Sequence, residues 1–538
     1  MGVLIRPLRK MQVAFIILFG LASLLLMGYY FSDTLLHYTT MQQFPINSFQ
    51  RFALTILIFP AELFSFGFAL YFVYVLLLGQ RPQERPRPLD GQEKTPVAIL
   101  IPVYNEPKEV VDRTLSACKL VRWPGATRIY LLDDSNNEEE KAVMDSLAKR
   151  HGCTIVRRPD RVGYKAGNIN NALRKTVKEP FFMILDSDQA PVPEFLERTM
   201  DHFSDPTVGF VQTPQHFINE GTPIERGAKI GTNIFYSAQC LGKSHDSALP
   251  FCGTNAVLRA SAFRGVGGFQ YFSATEDIEL GLRMNQAGYH GMYVPEILAH
   301  GYAPPDFAAY SSQQYRWANG NLAILRESWR GILFGRFSLR QQIHTLFTLG
   351  WWLVGVATLI YITVPILSLA FGLGTHHTWL PTALLVVLYF NVVLGILMIY
   401  VSLHGRVKGE KVKISDAFLQ YVLITNSIFI FSRAAFNAAI GRYVGFVRTN
   451  KRRTGVGLGL IKWNLLLAAL CLGFSFYALV MASISSDLQQ LRTYFPVSLW
   501  LLYYSLILAS SIIFVGKERM LTGVPQPQGT TSLRGLKK

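Results

Sequence analysis

Phe181 to Asp188 reads FFMILDSD: five apolar residues, then two carboxylates two positions apart. An apolar run this short that stops on acids reads as a strand buried on both faces, with its C-terminal end at a ligand site. Two runs of the same kind come earlier, VAILIPVY at 97–104 and RIYLLDDS at 128–135. Between and after them, Glu109 to Lys119 and Glu138 to Arg150 read as helices. Alternation of this sort predicts an α/β domain with a mixed, mostly parallel sheet. Its acids fall at the carboxyl ends of the strands, where open α/β sheets bind ligands, so a nucleotide site is expected there.

Working outward, the chain changes solvent. Its 538 residues are 50% hydrophobic and 16% charged, too apolar for a soluble protein and too charged for one lying wholly in a bilayer. Met11 to Phe31 and Phe52 to Leu78 are each long enough to span, which takes about 20 residues. With no small-residue cleavage site after it, the first reads as an anchor rather than a removed leader. The predicted organisation is two spans in 1–80, a Pro- and charge-rich linker at 81–96, and a catalytic domain with interface helices at 97–335. A membrane region follows at 336–516, then a flexible tail at 517–538. Apolar segments recur at 343–373, 380–403, 416–440, 461–485 and 496–515. Basic GRVKGEKVK and FVRTNKRR flank 416–440 on both sides, and the positive-inside rule puts both loops in the cytosol. One crossing cannot join them, so 416–440, with Asn426, Arg433 and Asn437, reads as an interface or bundle-packed helix. That leaves about six spans, both termini inside, and a multi-pass protein of the inner or plasma membrane. The net charge of +17 belongs with these membrane flanks and predicts no nucleic-acid partner. Five scattered cysteines predict reduced thiols and no zinc site.

Several residues carry candidate chemistry. Asp186 and Asp188, placed on one face by the period of a strand, suit Mg2+ or Mn2+ held together with a diphosphate. Alone, D-x-D suits a solvated turn better. Asp133 and Asp134 end another strand and could bond a base or ribose. Lys165, in GYKAGNINNAL, could counter phosphate charge, although the loop lacks the G-x-x-x-x-G-K-[ST] spacing. Asp277 in ATEDIELGLRM falls in the first turn of a helix, as either a cap or a general base, with Glu276 beside it. In a helix over Ala309 to Glu327, Gln313, Arg316, Trp317 and Gly320 share a face. A guanidinium there can clamp a diphosphate and an indole can stack on a sugar, or the same face can lie at a lipid boundary.

LIPVYNEP, LLDDSNN, YKAGNINNAL, LDSDQ, FCGTNAVLR, TEDIELGLR and QQYRW stand in an order that resembles the processive family-2 glycosyltransferases, the group of cellulose, glucomannan, chitin and hyaluronan synthases. The resemblance covers Val97 to Gly320 and, through FVRTNK, reaches the later membrane region. It implies a GT-A fold in which Asp134 meets the nucleoside, Asp186 and Asp188 handle metal and diphosphate, and Asp277 is the base. Gln313, Arg316 and Trp317 would bind the diphosphate and the glycan end. Phe251, Cys252, Gly253 and Thr254 would form the acceptor pocket. Thr449 and Lys451 of the 446–451 loop would close over nucleotide, with Arg448 departing from the valine usual in that motif.

What the resemblance implies is a membrane enzyme with a cytosolic catalytic domain that polymerises a β-linked glycan from a nucleotide sugar and moves it across the bilayer. UDP-glucose and a β-glucan come first, GDP-mannose with a mannan or glucomannan next. The expected partners are the nucleotide sugar, the growing polysaccharide and the lipid bilayer, with a homo-oligomer or export partners left open. Two rivals stand beside this: a transferase placing one sugar on a polyprenyl phosphate, and a non-catalytic export subunit. Only two expected spans precede the catalytic domain and no folded domain is expected after the last, so regulation by cyclic di-GMP within this chain is not expected.

Overall fold

Alternating apolar runs and helical segments give the catalytic domain its sheet. A computed structural model describes residues 48–83, 86–89, 94–371, 413–443, 457–485 and 488–515 save 513, with isolated positions between 13 and 32 and residue 395. In chain order come α1 (Ser48–Leu78), β1 (Val97–Val103), α2 (Lys108–Cys118), β2 (Thr127–Asp133), α3 (Glu138–His151), β3 (Thr154–Val156), α4 (Tyr164–Lys175) and β4 (Phe181–Ile184). Then follow β5 (Ala190–Pro191), β6 (Val208–Gln212), β7 (His216–Phe217), α5 (Pro223–Ile234), β8 (Ala256–Arg259), α6 (Glu276–Gln286), β9 (His290–Tyr293) and β10 (Ala299–Gly301). The last elements are α7 (Phe307–Phe334), α8 (Leu339–Gly350), α9 (Val354–Phe371), α10 (Ile414–Thr425), α11 (Ile428–Ala439), α12 (Lys462–Ile484) and α13 (Leu488–Ala509).

The main sheet has the order β3-β2-β1-β4-β8-β6-β9. β3, β2, β1 and β4 run parallel, β8 is antiparallel to both its neighbours, and β9 returns parallel to β6. Side chains alternate between two buried layers, which is why these strands read as continuous apolar runs. Ala98, Leu100, Phe182 and Ile184 pack with Ile169 and Leu173 of α4 and Leu280 of α6. Val97, Ile99, Phe181 and Met183 pack on the opposite face with Val111 and Leu115 of α2 and Leu147 of α3. A smaller sheet has the order β5-β10-β7, with β10 antiparallel to β5 and parallel to β7.

Helix boundaries follow their caps. Asn137 accepts from the Glu139 N–H at the start of α3, Asp306 from Ala309 at the start of α7, and Thr222 and Ser338 open α5 and α8 with full capping boxes. Among the described residues, three helices are long and apolar enough to cross a membrane: Ile56–Leu78, Leu339–Phe371 and Lys462–Ile484. The expected segment 416–440 is two helices, α10 and α11, bent by 43° at their junction, which makes a fourth span only if the pair is taken as one. Of the expected span 496–515, α13 supplies an apolar stretch, Tyr494–Ala509, that is shorter than these three helices. Save residue 395, the expected span 380–403 lies outside the described residues, as do the 446–451 loop, the 517–538 tail and nine of the 21 positions of the expected first span.

Candidate active site

The β4 ladder stops at Ile184, and Asp186 to Gln189 form a turn in which the Gln189 N–H donates to the Asp186 carbonyl at 2.9 Å. Asp186 and Asp188 are therefore turn residues, not strand residues sharing a face; the expectation from strand period is corrected because the ladder ends too early. Both line one cavity, but in different surroundings: Asp188 is buried and Asp186 half-exposed. The turn is fixed from behind. Thr114 Oγ1 donates to the Ser187 carbonyl at 2.8 Å, and Asp186 N–H donates to Thr254 Oγ1 at 2.8 Å. Lys165 Nζ reaches Asp186 Oδ1 at 2.6 Å and the Gly253 carbonyl at 2.9 Å. Burial opposes the lysine charge, but Asp186 more than offsets it and holds the ammonium above its usual range.

Along the same wall, Asp134 sits just past the end of β2. Both its oxygens accept from Arg158, at 2.8 and 2.6 Å, in a bidentate pair that is almost wholly buried. The same guanidinium also donates to the Val162 and Tyr164 carbonyls, at 2.6 and 2.7 Å, so it straps the 158–164 segment to Asp134. Asp133 does not line the cavity. It is buried, accepting from the Ser135 N–H and from Arg157.

Opposite stands Asp277, second residue of α6, with Oδ1 accepting from the Ile278 N–H at 2.9 Å. Gly253, at φ +76°, lies so close that a Cβ there would meet Asp277 Oδ2 at 2.6 Å. The α7 backbone also comes close, since a Cβ on Gly320 would fall 2.6 Å from Thr275 Oγ1. One turn back from Gly320, Arg316, Trp317 and Gln313 face the cavity that Asp277, Glu276 and Lys165 line. Burial, and then the neighbouring Asp277, push the Glu276 carboxyl up to about 7. Burial also raises Asp277 above the usual carboxylate range, against the pull of the Ile278 N–H, Lys165 and Arg316. Arg316 is lowered by burial and supported by Glu276, Asp186 and Asp277; a guanidinium so placed stays charged. The other face of α7 is pinned to α11. Asn437 donates to the Tyr315 hydroxyl at 2.5 Å, and Asn319 donates to the carbonyls of Ala434 and Arg442.

Of the expected acceptor residues, Cys252 and Gly253 line the cavity, but Phe251 and Thr254 do not. Phe251 is fully buried, packed with the rings of Phe210 and Phe269. Thr254 is buried behind the aspartate turn. Gly253 at φ +76° and Asn255 at φ +53° bend this segment, so a motif read as one unit mixes cavity and core residues. Thr449 and Lys451 lie outside the described residues. The sequence reading gave no role to Arg158, although its place in RRPDR, just ahead of GYKAG, is the signal for it. Tyr104, Glu106, Arg161 and Tyr302 also line the cavity. Its space is about 1310 Å³ with the open mouth included, roomy enough for a nucleotide sugar and an acceptor sugar.

The profile of the glycosyl transferase family group 2 matches residues 181–400. Cellulose synthase 1 of Komagataeibacter xylinus is 31% identical over 378 residues, 68% of this chain and 23% of its own length. A cellulose synthase 1 catalytic subunit (UDP-forming) from the same organism is 29% identical, over 68% of this chain and 48% of its own. A third, the UDP-forming catalytic subunit of Xanthomonas axonopodis pv. citri, is 32% identical over 53% of this chain and 39% of its own. The chain thus spans less than half the length of these relatives. Among solved structures, the mannosyltransferase PcManGT of Pyrobaculum calidifontis, in complex with GDP-Man and Mn2+, superposes with a TM-score of 0.52 at 18% identity, covering 73% of this chain and 99% of that one. That likeness is one of fold, and it gives the sheet described above its GT-A-like character. With its ordered motifs converging on a single cavity, the chain belongs to the family-2 glycosyltransferases, in their cellulose-synthase-like branch.

Proposed function

We propose that this protein is a membrane-embedded, processive, inverting glycosyltransferase that polymerises a β-linked glycan from a nucleotide sugar, with UDP-glucose and a β-glucan as first choice. The observation that carries this is the convergence of Asp277, Lys165 and Asp186 with Gln313, Arg316 and Trp317 on one cavity beside helices long enough to span a bilayer. Similarity to UDP-forming cellulose synthase subunits supports the donor. The solved mannosyltransferase with GDP-Man and Mn2+ keeps the mannan reading as the second candidate. The basic segments beside the apolar ones support an inner or plasma membrane location with the catalytic domain in the cytosol.

In the proposed reaction, Asp277 takes the proton of an acceptor hydroxyl as that oxygen attacks the anomeric carbon, while the bond from that carbon to the diphosphate breaks. A carboxylate with a raised proton affinity is the stronger base near neutral pH. Arg316 and Lys165 meet the charge that builds on the departing diphosphate, and losing one such donor typically slows a reaction by about 100- to 1000-fold. Two carboxylates on an adjoining turn, next to room for a diphosphate, fit a divalent cation: Asp186 and Asp188 would hold it, and it would supply further positive charge to the leaving group. Trp317 offers a flat apolar face for the sugar at the acceptor end, which keeps the product in place between additions.

The test is a screen of radiolabelled UDP- and GDP-sugars on purified membranes, followed by digestion of the product with linkage-specific glycanases. Polymer from UDP-glucose that a β-glucanase degrades supports the first choice, and polymer from GDP-mannose alone moves the assignment to a mannan. Release of nucleotide without polymer removes processivity. Asp277→Asn should keep nucleotide binding and abolish transfer; wild-type turnover in that variant removes Asp277 as base.

A further inference from the structure

The turn that carries Asp186 and Asp188 is held at each of its four residues by a different side chain. The Asp186 N–H donates to Thr254, the Ser187 carbonyl accepts from Thr114, the Asp188 carbonyl accepts from Arg113 Nη1 at 3.4 Å, and the Gln189 amide oxygen accepts from Asn255 at 3.1 Å. Arg113 and Thr114 are consecutive on α2 and take consecutive carbonyls, so one helix fixes the turn at two points. Arg113 reaches further. Its Nη2 donates to the His300 carbonyl of β10 at 3.0 Å, and its guanidinium carbon lies 4.8 Å from the centroid of the Tyr302 ring. The arginine is half-buried, stands behind the cavity wall rather than on it, and forms no ion pair among the described residues. Its charge is directed at two backbone carbonyls and a ring.

Strand β10 lies directly against the turn, since a Cβ on Gly301 would fall 2.1 Å from Gln189 Nε2. From β10 the chain runs through Tyr302 and Pro304–Pro305 on the cavity wall to Asp306, which caps α7. Arg113 is therefore a bridge between the turn of the two carboxylates and the strand that delivers α7. A divalent cation held by two carboxylates and a diphosphate answers to small errors in ligand placement, and Mg2+ in particular demands near-ideal octahedral geometry. Groups that orient ligands without touching the metal commonly change its affinity by about 10- to 100-fold.

We propose that Arg113 is a positioning residue for the divalent cation, setting the affinity of the metal site by holding the Asp188 backbone against β10. This rests on the reading of the cavity as a nucleotide-sugar site with a cation at Asp186 and Asp188, and it adds a residue outside the cavity that tunes that site. The sign of the effect separates support from charge. A guanidinium beside two carboxylates repels an incoming cation, so by Coulomb's law alone its removal would tighten metal binding. Loss of a support loosens it.

The experiment titrates Mn2+ into the full-length protein purified in detergent, with UDP present and with GDP in a parallel series, and reads free Mn2+ by electron paramagnetic resonance. Arg113→Met, which keeps an apolar stem against Tyr302, should weaken Mn2+ binding by about tenfold or more. Calorimetric binding of the nucleotide in EDTA should stay within about threefold of wild type, which also shows that the variant is folded. Arg113→Lys, a single charged point where the guanidinium has two arms, should fall between the two. Mn2+ binding by Arg113→Met that is unchanged or tighter overturns the proposal. So does a matching loss of metal-free nucleotide binding, the mark of a general structural role. Wild type that binds no Mn2+ with either nucleotide overturns the cation site and the proposal together. Wild type that binds Mn2+ and nucleotide but makes no polymer overturns the glycan-synthase reading and leaves Arg113 in its role.

Discussion

Gly253→Ala puts the geometry of the cavity to the sharpest test. The new methyl would sit 2.6 Å from Asp277 Oδ2 and 3.2 Å from its Cβ and Cγ, where Cβ contacts under 3.0 Å essentially do not occur. Something must move by at least about 0.4 Å, and the Gly253 backbone is itself held through its carbonyl by Lys165. Asp277 is the softer partner, although its Oδ1 is tied to the Ile278 N–H, so the carboxylate has to shift or rotate as a whole. Displacement of a reacting group by about 1 Å can cost 100-fold in rate, so a loss of about 10- to 100-fold in kcat is expected. Alanine at φ +76° adds about 1–2 kcal/mol of backbone strain, visible as a lower melting temperature. Nucleotide affinity should change less than threefold, because the nucleoside wall is built from other segments. The assay is nucleotide release at saturating donor, with calorimetric binding on the same preparation. Wild-type kcat in a folded Gly253→Ala protein would refute the close approach of this loop to the base.

Further outcomes follow from the same site. Because burial raises the Asp277 carboxyl, the unprotonated base is lost, as pH falls, earlier than an ordinary carboxylate would be. The acid limb of the kcat/KM profile should therefore lie above the ordinary carboxylate value of about 4; a limb at that value would contradict this. Arg158→Met strands the nearly buried Asp134 carboxylate and should cost about 3–5 kcal/mol of stability together with donor affinity; unchanged denaturant unfolding counts against the strap. Trp317→Ala should shorten the polymer more than it slows the first transfer, because a lost ring contact is worth about 1 kcal/mol and acts at every addition; full-length product on a gel would remove its holding role. Gly320→Ala should lower the rate, since its Cβ would strike Thr275 at the start of the helix that carries Asp277; an unaffected rate would mean that the two helices part without consequence.

Strand-end acids, capped helices and apolar segments are legible because each rests on local chemistry: FFMILDSD states its own burial, and Asp306 and Thr222 mark helix starts. The α7 face of Gln313, Arg316 and Trp317 is legible for the same reason, being set by helical period alone. Contacts between distant segments are not. Nothing local to Phe251 or Thr254 tells that one ring joins Phe210 in the core and one hydroxyl stands behind Asp186. Arg158 on Asp134 and Arg161 on Tyr104 likewise depend on a strap closing over another strand, a tertiary event that a linear pattern records only as neighbouring charges. The membrane segments are legible by length and composition, which three helices meet among the described residues, while α13 carries a shorter apolar stretch.

Tyr315 and Asn319 grip α11 while Arg316 and Trp317, between them in sequence, face the cavity. Helix α7 is thus a rigid crank with one side bolted to a 43° elbow. A change in the angle between the two arms of that elbow would therefore carry the guanidinium and the indole with it, through two side chains.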